Sequence, residues 1–111
     1  MYIDNHFKKD IMIIDLAGEL DHHCAEEIRT RMDDWIDRYN CRKVILNLSG
    51  VTFMDSSGIG VVIGRYKKLS LRNGKICVTE INESIKRVFD ISGLFKIVKY
   101  YDKIDEAVKG L

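Results

Sequence analysis

Apolar residues along this chain switch between two periods, and each switch marks the end of one element and the start of another. Val44-Ile45-Leu46-Asn47-Leu48 is a short β-branched run suited to a buried strand, whereas Ile59, Val62, Ile63, Tyr66 and Leu69 recur at helical spacing. Upstream, Tyr2-Ile3 to Phe7 and Ile11 to Leu16 read as two extended segments. Lys8-Lys9-Asp10 between them is a polar turn of hairpin length, which predicts an antiparallel pair. Gly18 to His23 is expected to be a loop. A stripe of Ala25, Ile28, Met32, Trp35, Ile36 and Tyr39 then predicts a helix starting near Cys24 with Asp21 as its cap. Glu26, Glu27, Arg31, Asp34 and Arg38 fall on its solvated face.

Asn40-Cys41-Arg42 breaks that helix and leads to the Val44 to Leu48 strand, whose near-continuous apolar character suits a central strand covered on both faces. Arg72-Asn73-Gly74 is a helix stop, because Gly and Asn tolerate the left-handed conformation. Lys75-Ile76-Cys77-Val78 reads as the next strand. Ile81, Ile85, Val88 and Phe89 mark a helix that Asn82 or Glu80 could start and Ser92-Gly93 ends. Ile97 to Tyr101 is a last strand, and Ile104, Ala107, Val108 and Leu111 stripe a last short helix with Asp102 near its cap. Strand–helix alternation after an initial hairpin predicts an α/β domain with right-handed crossovers. Its sheet is mostly parallel, with about four to five strands, an antiparallel N-terminal edge strand and about four helices.

A chain of 111 residues is the usual size of one domain, so a single domain over residues 1–111 is expected. Lysine plus arginine number 18 and aspartate plus glutamate 17, a formal charge of +1 with no block of one sign. That balance argues against nucleic acid or an anionic membrane as the main partner. Charged residues at Asp4, Lys8, Lys9, Asp10 and Asp15 interrupt the N-terminal apolar stretch, and no later run approaches a membrane span. A cytoplasmic protein is the expectation. Cys24, Cys41 and Cys77 are odd in number and lack CxxC spacing, which fits reduced thiols filling space better than a disulfide frame or zinc site.

Between the central strand and its helix lies Phe53-Met54-Asp55-Ser56-Ser57-Gly58-Ile59-Gly60. Asp and Ser are helix-starting residues, because their side-chain oxygens accept from the orphan amides of the first turn. A serine hydroxyl is thus offered at a helix N-terminus, where a phosphate is electrostatically favoured. Read without any relative, Ser56 and Ser57 are simple caps, while Asp55 either orients the Ser56 hydroxyl or caps the helix. Gly58 and Gly60 each cost about 1 kcal/mol in a helix relative to Ala. Close approach of another backbone, a partner's or a nucleotide's, is the expected reason, and Gly64 is expected to serve helix-on-sheet packing.

Other chemistries fit poorly. Gly58, Gly60 and Gly64 depart from the dinucleotide fingerprint by one position, Asp55 would face the phosphates, and no Walker lysine is present. Ser56 and Ser57 lie in no G-x-S-x-G elbow. Adjacent His22 and His23 are a poor metal pair. They are expected on the same rim as the serine loop, since both loops follow strands.

The Phe53 to Gly60 stretch resembles the phosphorylation loop of the single-domain STAS proteins, the bacterial anti-sigma-factor antagonists. Gly18-Glu19-Leu20-Asp21-His22-His23 and Lys86-Arg87-Val88-Phe89-Asp90-Ile91-Ser92-Gly93-Leu94-Phe95-Lys96 are similar to the family's sporulation branch. The resemblance spans nearly the whole chain. It implies a protein-binding switch without enzyme activity, cofactor or metal, in which Ser56 is phosphorylated. The implied partners are an anti-sigma factor that is also an ATP-dependent serine kinase, and a serine phosphatase. The implied partner surface comprises Asp21, His22, His23, Met54, Asp55, Ser56, Ser57, Gly58, Ile59 and Gly60. The rival readings are a carrier or enzyme using phosphoserine as an intermediate, and a nucleotide-binding STAS module.

Overall fold

The computed structural model describes residues 1–111. Strands β1 (Tyr2–Lys8) and β2 (Ile11–Leu20) form a hairpin, followed by α1 (Ala25–Arg38), β3 (Lys43–Met54) and α2 (Ser56–Ser70). Then come β4 (Lys75–Thr79), α3 (Glu83–Ser92), a 3-10 turn at Leu94–Lys96, β5 (Lys99–Tyr101) and α4 (Ile104–Gly110). The five strands lie in chain order. β1 and β2 are antiparallel and every other pair is parallel, as the alternation of elements predicts.

Period-2 alternation divides the sheet residues between two layers. Met12, Ile14, Leu16, Val44, Leu46, Leu48 and Val78 face one core, with Ile28, Met32 and Ile36 of α1, Val62 and Leu69 of α2, and Ile85 and Phe89 of α3. Ile11, Ile13, Ile45 and Cys77 point the other way and are covered by Ala107 of α4, with Ile104 and Val108 beside it. The central strand is therefore buried on both faces along its apolar half. Cys41 and Cys77 are free and buried, and burial pushes the Cys77 thiol up to about 12, as expected of space-filling thiols.

Several boundaries differ from the sequence expectation. β2 and β3 run on through Leu20 and Met54, because Ala17, Gly18, Glu19 and Leu20 pair with Gly50, Val51, Phe53 and Met54. Two register shifts relieve the longer ladder, and a Cβ on Gly50 would meet that of Ala17 at 2.6 Å. Asp21 does not cap α1. Its Oδ1 accepts the His23 amide at 2.9 Å while its carbonyl accepts those of Cys24 and Ala25, so it forms the turn one step earlier. Cys24 occupies the N-cap without a side-chain bond, and Lys103 is the N-cap of α4 with Asp102 next to it, as expected.

Asn82 starts α3, its Oδ1 accepting from Ile85, while Glu80 sits in the left-handed region. β5 is shorter than predicted because Leu94–Lys96 turn and Val98 bonds back to Leu94. Tyr39 leaves the buried stripe of α1 and meets Phe7 edge-on.

The helix α2 is rotated from its predicted stripe. Gly58, Val61, Val62, Arg65 and Leu69 are buried, whereas Ile59, Ile63 and Tyr66 are only half-buried. Close packing against α1 draws Arg65 inward, with Nε 3.0 Å from Asp33 Oδ1. Burial lowers the Arg65 pKa against the attraction of Asp33. Arg72 and Lys68 continue the contact to Asp37, whose pKa their hydrogen bonds lower. Gly64 makes no close approach to the sheet, contrary to expectation, since a Cβ there would stand in open space.

Candidate functional site

The site follows from strand register. Leu20 and Met54 end β2 and β3 side by side, so the loop Asp21 to His23 emerges next to the Asp55 to Gly58 turn. The Asp55 amide bonds the Leu20 carbonyl at 3.4 Å. Asp55 is the true N-cap of α2: its Oδ1 accepts from Ser57 at 2.9 Å and from Gly58 at 3.2 Å. Its Oδ2 accepts the backbone N–H of His22 at 3.2 Å and lies 3.6 Å from His22 Nδ1. Burial works against this carboxylate, but the amides of Gly58, His22 and Ser57 outweigh it and hold its pKa below the ordinary range. Of the two roles open to Asp55, capping is the one its bonds fulfil.

Ser56 is the first residue of α2 and is exposed, whereas Ser57 is half-buried. Neither is the cap. His22 and His23 are exposed with ring centroids 4.0 Å apart, and His23 Nδ1 lies 3.6 Å from Asp21 Oδ2. Burial opposes ionisation of Asp21, yet the His23 amide and side chain and the Cys24 amide bring its pKa below the ordinary value. Ile59 is half-buried and Gly60 is exposed.

Met54 and Gly58 are buried and form the floor of the site. A Cβ on Gly58 would come within 2.5 Å of the Leu20 carbonyl oxygen and 2.6 Å of Met54 Cγ. The backbone that requires this glycine is thus the chain's own. At Gly60 nothing lies within 4 Å.

The sequence reading missed two features. Phe53 is 49 % exposed beside the loop, a position that alternation with buried Met54 would have revealed. Local charge is the second. No lysine or arginine occurs from Ala17 to Ile28, from Leu48 to Gly64 or from Thr79 to Ile85, yet Glu19, Asp21, Glu26, Glu27, Asp55, Glu80 and Glu83 do. A chain of formal charge +1 therefore carries a strongly acidic rim at the ends of β2, β3 and β4, with His22 and His23 as its basic side chains.

With this geometry in view, relatives can be placed. The STAS domain family matches residues 2–107, and the chain belongs to that family. Within it, the chain is 41% identical to the anti-sigma F factor antagonist of Paenibacillus polymyxa, over 92% of this chain and 87% of that protein. A crystallised Thermotoga maritima protein superposes with TM-score 0.89 at 30% identity, covering 97% of this chain and 92% of that one. The Bacillus cell fate determinant SpoIIAA in its phosphorylated form gives TM-score 0.74 at 30% identity, with 97% of each chain covered. No helix is long and apolar enough to cross a membrane.

Proposed function

We propose that this chain is an anti-sigma factor antagonist controlled by phosphorylation of Ser56. The unphosphorylated form binds an anti-sigma factor that is also an ATP-dependent serine kinase, and so frees a sigma factor for sporulation-specific transcription in the cytoplasm. The observation that carries the reading is Ser56 itself. It is exposed at the first position of α2 and flanked by the Asp21 to His23 loop, in a chain 41% identical to an anti-sigma F factor antagonist.

In the transfer, the Ser56 Oγ–P bond forms as the bond between the γ-phosphorus and the ADP oxygen breaks, and the hydroxyl proton leaves to a base of the kinase. The product carries roughly −1.5 to −2 new charge. The complex then holds that charge between the rim carboxylates and the anionic nucleotide that delivered it, with water excluded. Repulsion and desolvation both act on the complex and not on the free protein. A serine phosphatase restores binding by hydrolysing the ester. The chain needs no catalytic group of its own, and Asp55, with its oxygens held by three amides, is poorly placed to act as a base on Ser56.

The test is to mix the protein with the cognate kinase and ATP, map the phosphopeptide by mass and measure partner affinity before and after. One phosphate on Ser56 with loss of binding is expected. A phosphoserine that turns over with small acceptors would make the chain a carrier or enzyme instead.

A further inference from the structure

Phosphate on Ser56 arrives at a helix start whose amides are already engaged. Ser57 and Gly58 donate to Asp55, and the remaining Asp55 oxygen is held by the His22 amide. The new dianion therefore lies one residue from a carboxylate and lacks two of the N–H donors that a helix N-terminus usually offers. It needs a cation. The segments around it supply no lysine or arginine: Lys103 follows the edge strand β5, and Arg65, more than two turns along α2, is buried against Asp33.

We propose that His22, with the His23 ring packed at a tilt against it, is the cationic partner of the Ser56 phosphate in the free protein. This rests on the reading of Ser56 as the modified residue. His22 already stands 3.6 Å from Asp55, the residue next to Ser56, and its side chain is 68% exposed. The groups facing it are Asp55 across the site and His23 on its own loop, which in turn lies against Asp21. A phosphate dianion outcompetes a single carboxylate for the imidazolium, so phosphorylation draws the ring from Asp55 to Ser56. Release of a phosphorylated chain from its partner thus gains a product whose new charge is partly offset within the chain.

The experiment installs phosphoserine at position 56 by genetic encoding, so no kinase is involved. The phosphorus NMR signal is followed against pH in otherwise wild-type protein and in His22→Gln, His23→Gln and the double variant, with amide spectra confirming the fold. An opposite charge nearby favours the dianion, so its second ionisation should lie about half a unit lower with His22 present than with His22→Gln. The His22 imidazole nitrogens should also shift on phosphorylation. Equal midpoints in all four proteins would overturn the proposal, and an effect of His23→Gln alone would overturn the assignment to His22. Failure of a kinase to modify Ser56 would overturn the functional reading while leaving this coupling measurable.

Discussion

The backbone N–H of His22 ends on Oδ2 of Asp55, 3.2 Å away, and joins two loops far apart in sequence into one unit. Because the same carboxylate caps α2 through Ser57 and Gly58, helix start and loop position are set by one side chain.

Removing that side chain should loosen both. Asp55→Ala is expected to lower stability by about 1 kcal/mol, the usual loss for an N-cap. The His22 amide should exchange faster with solvent. Asp55→Asn keeps an acceptor and should lose less. Asp55 titrates lower in the folded state than when unfolded, so its contribution is complete above the ordinary value of 3.8 and is lost as pH falls through the folded-state pKa. Acid unfolding curves below that pH should be shallower for Asp55→Asn than for wild type.

The two glycines flanking Ile59 should respond in opposite ways. Gly58→Ala forces a Cβ against the Leu20 carbonyl oxygen, 2.5 Å from its ideal position, and should destabilise the fold by about 1–3 kcal/mol. Gly60→Ala meets nothing within 4 Å and should stabilise the isolated protein by up to about 1 kcal/mol. Urea titration decides both. A drop in partner affinity for the stabilised Gly60→Ala variant would place that position in the interface.

Asp33 and Arg65 form the most buried ion pair of the α1–α2 contact, with side chains 26% and 7% exposed. Asp33→Asn leaves a buried guanidinium without its counter-charge and should cost about 3 kcal/mol. Asp33→Leu combined with Arg65→Met should cost less than the single change, because neither charge then has to be desolvated. A double-mutant cycle by chemical denaturation measures the difference.

Much of this arrangement is written in apolar spacing. The apolar run Val44 to Leu48 and the helical spacing after Asp55 announce β3 and α2, though not the extension of β3 to Met54 or the buried face of α2, and Asn82 and Asn73 act at helix ends as their chemistry suggests. Pairing is what local pattern hides. Ser49, Gly50 and Thr52 carry weak strand signals, and they remain extended because Ala17 to Leu20 lie alongside. Likewise Gly58 looks like space for a partner until Leu20 is seen to fill it, and Arg65 looks solvated until Asp33 faces it. Each of these depends on a residue from another element, which no single window of sequence contains.

Position along the site should decide which serine is modified. Ser56 is exposed, while Ser57 is half-buried and its amide is tied to Asp55. Ser56→Ala should abolish phosphate incorporation by the kinase and keep partner binding. Ser57→Ala should still accept one phosphate. Incorporation into Ser56→Ala, read by intact mass, would move the site.

Phosphorylation should leave the fold of the free protein nearly unchanged and act on the complex. The new charge enters at the start of a helix of 15 residues, where the dipole favours an anion. Direct amide bonds to Ser57 and Gly58 are already taken by Asp55, so the phosphate stays at the surface without displacing the core residues beneath it. Met54 and Val62 below the site remain packed in the main core. Amide spectra should therefore change around residues 20–24 and 55–60 and stay constant across β1, β4 and β5. The thermal midpoint should move by no more than about 4 °C, the shift produced by about 1 kcal/mol in a domain of this size. Affinity for the kinase should fall by at least about a hundredfold, because like charges brought together in an interface cost several kcal/mol. Spectral changes spreading through the sheet, or a large drop in midpoint, would mean that the switch works by refolding and not by local charge.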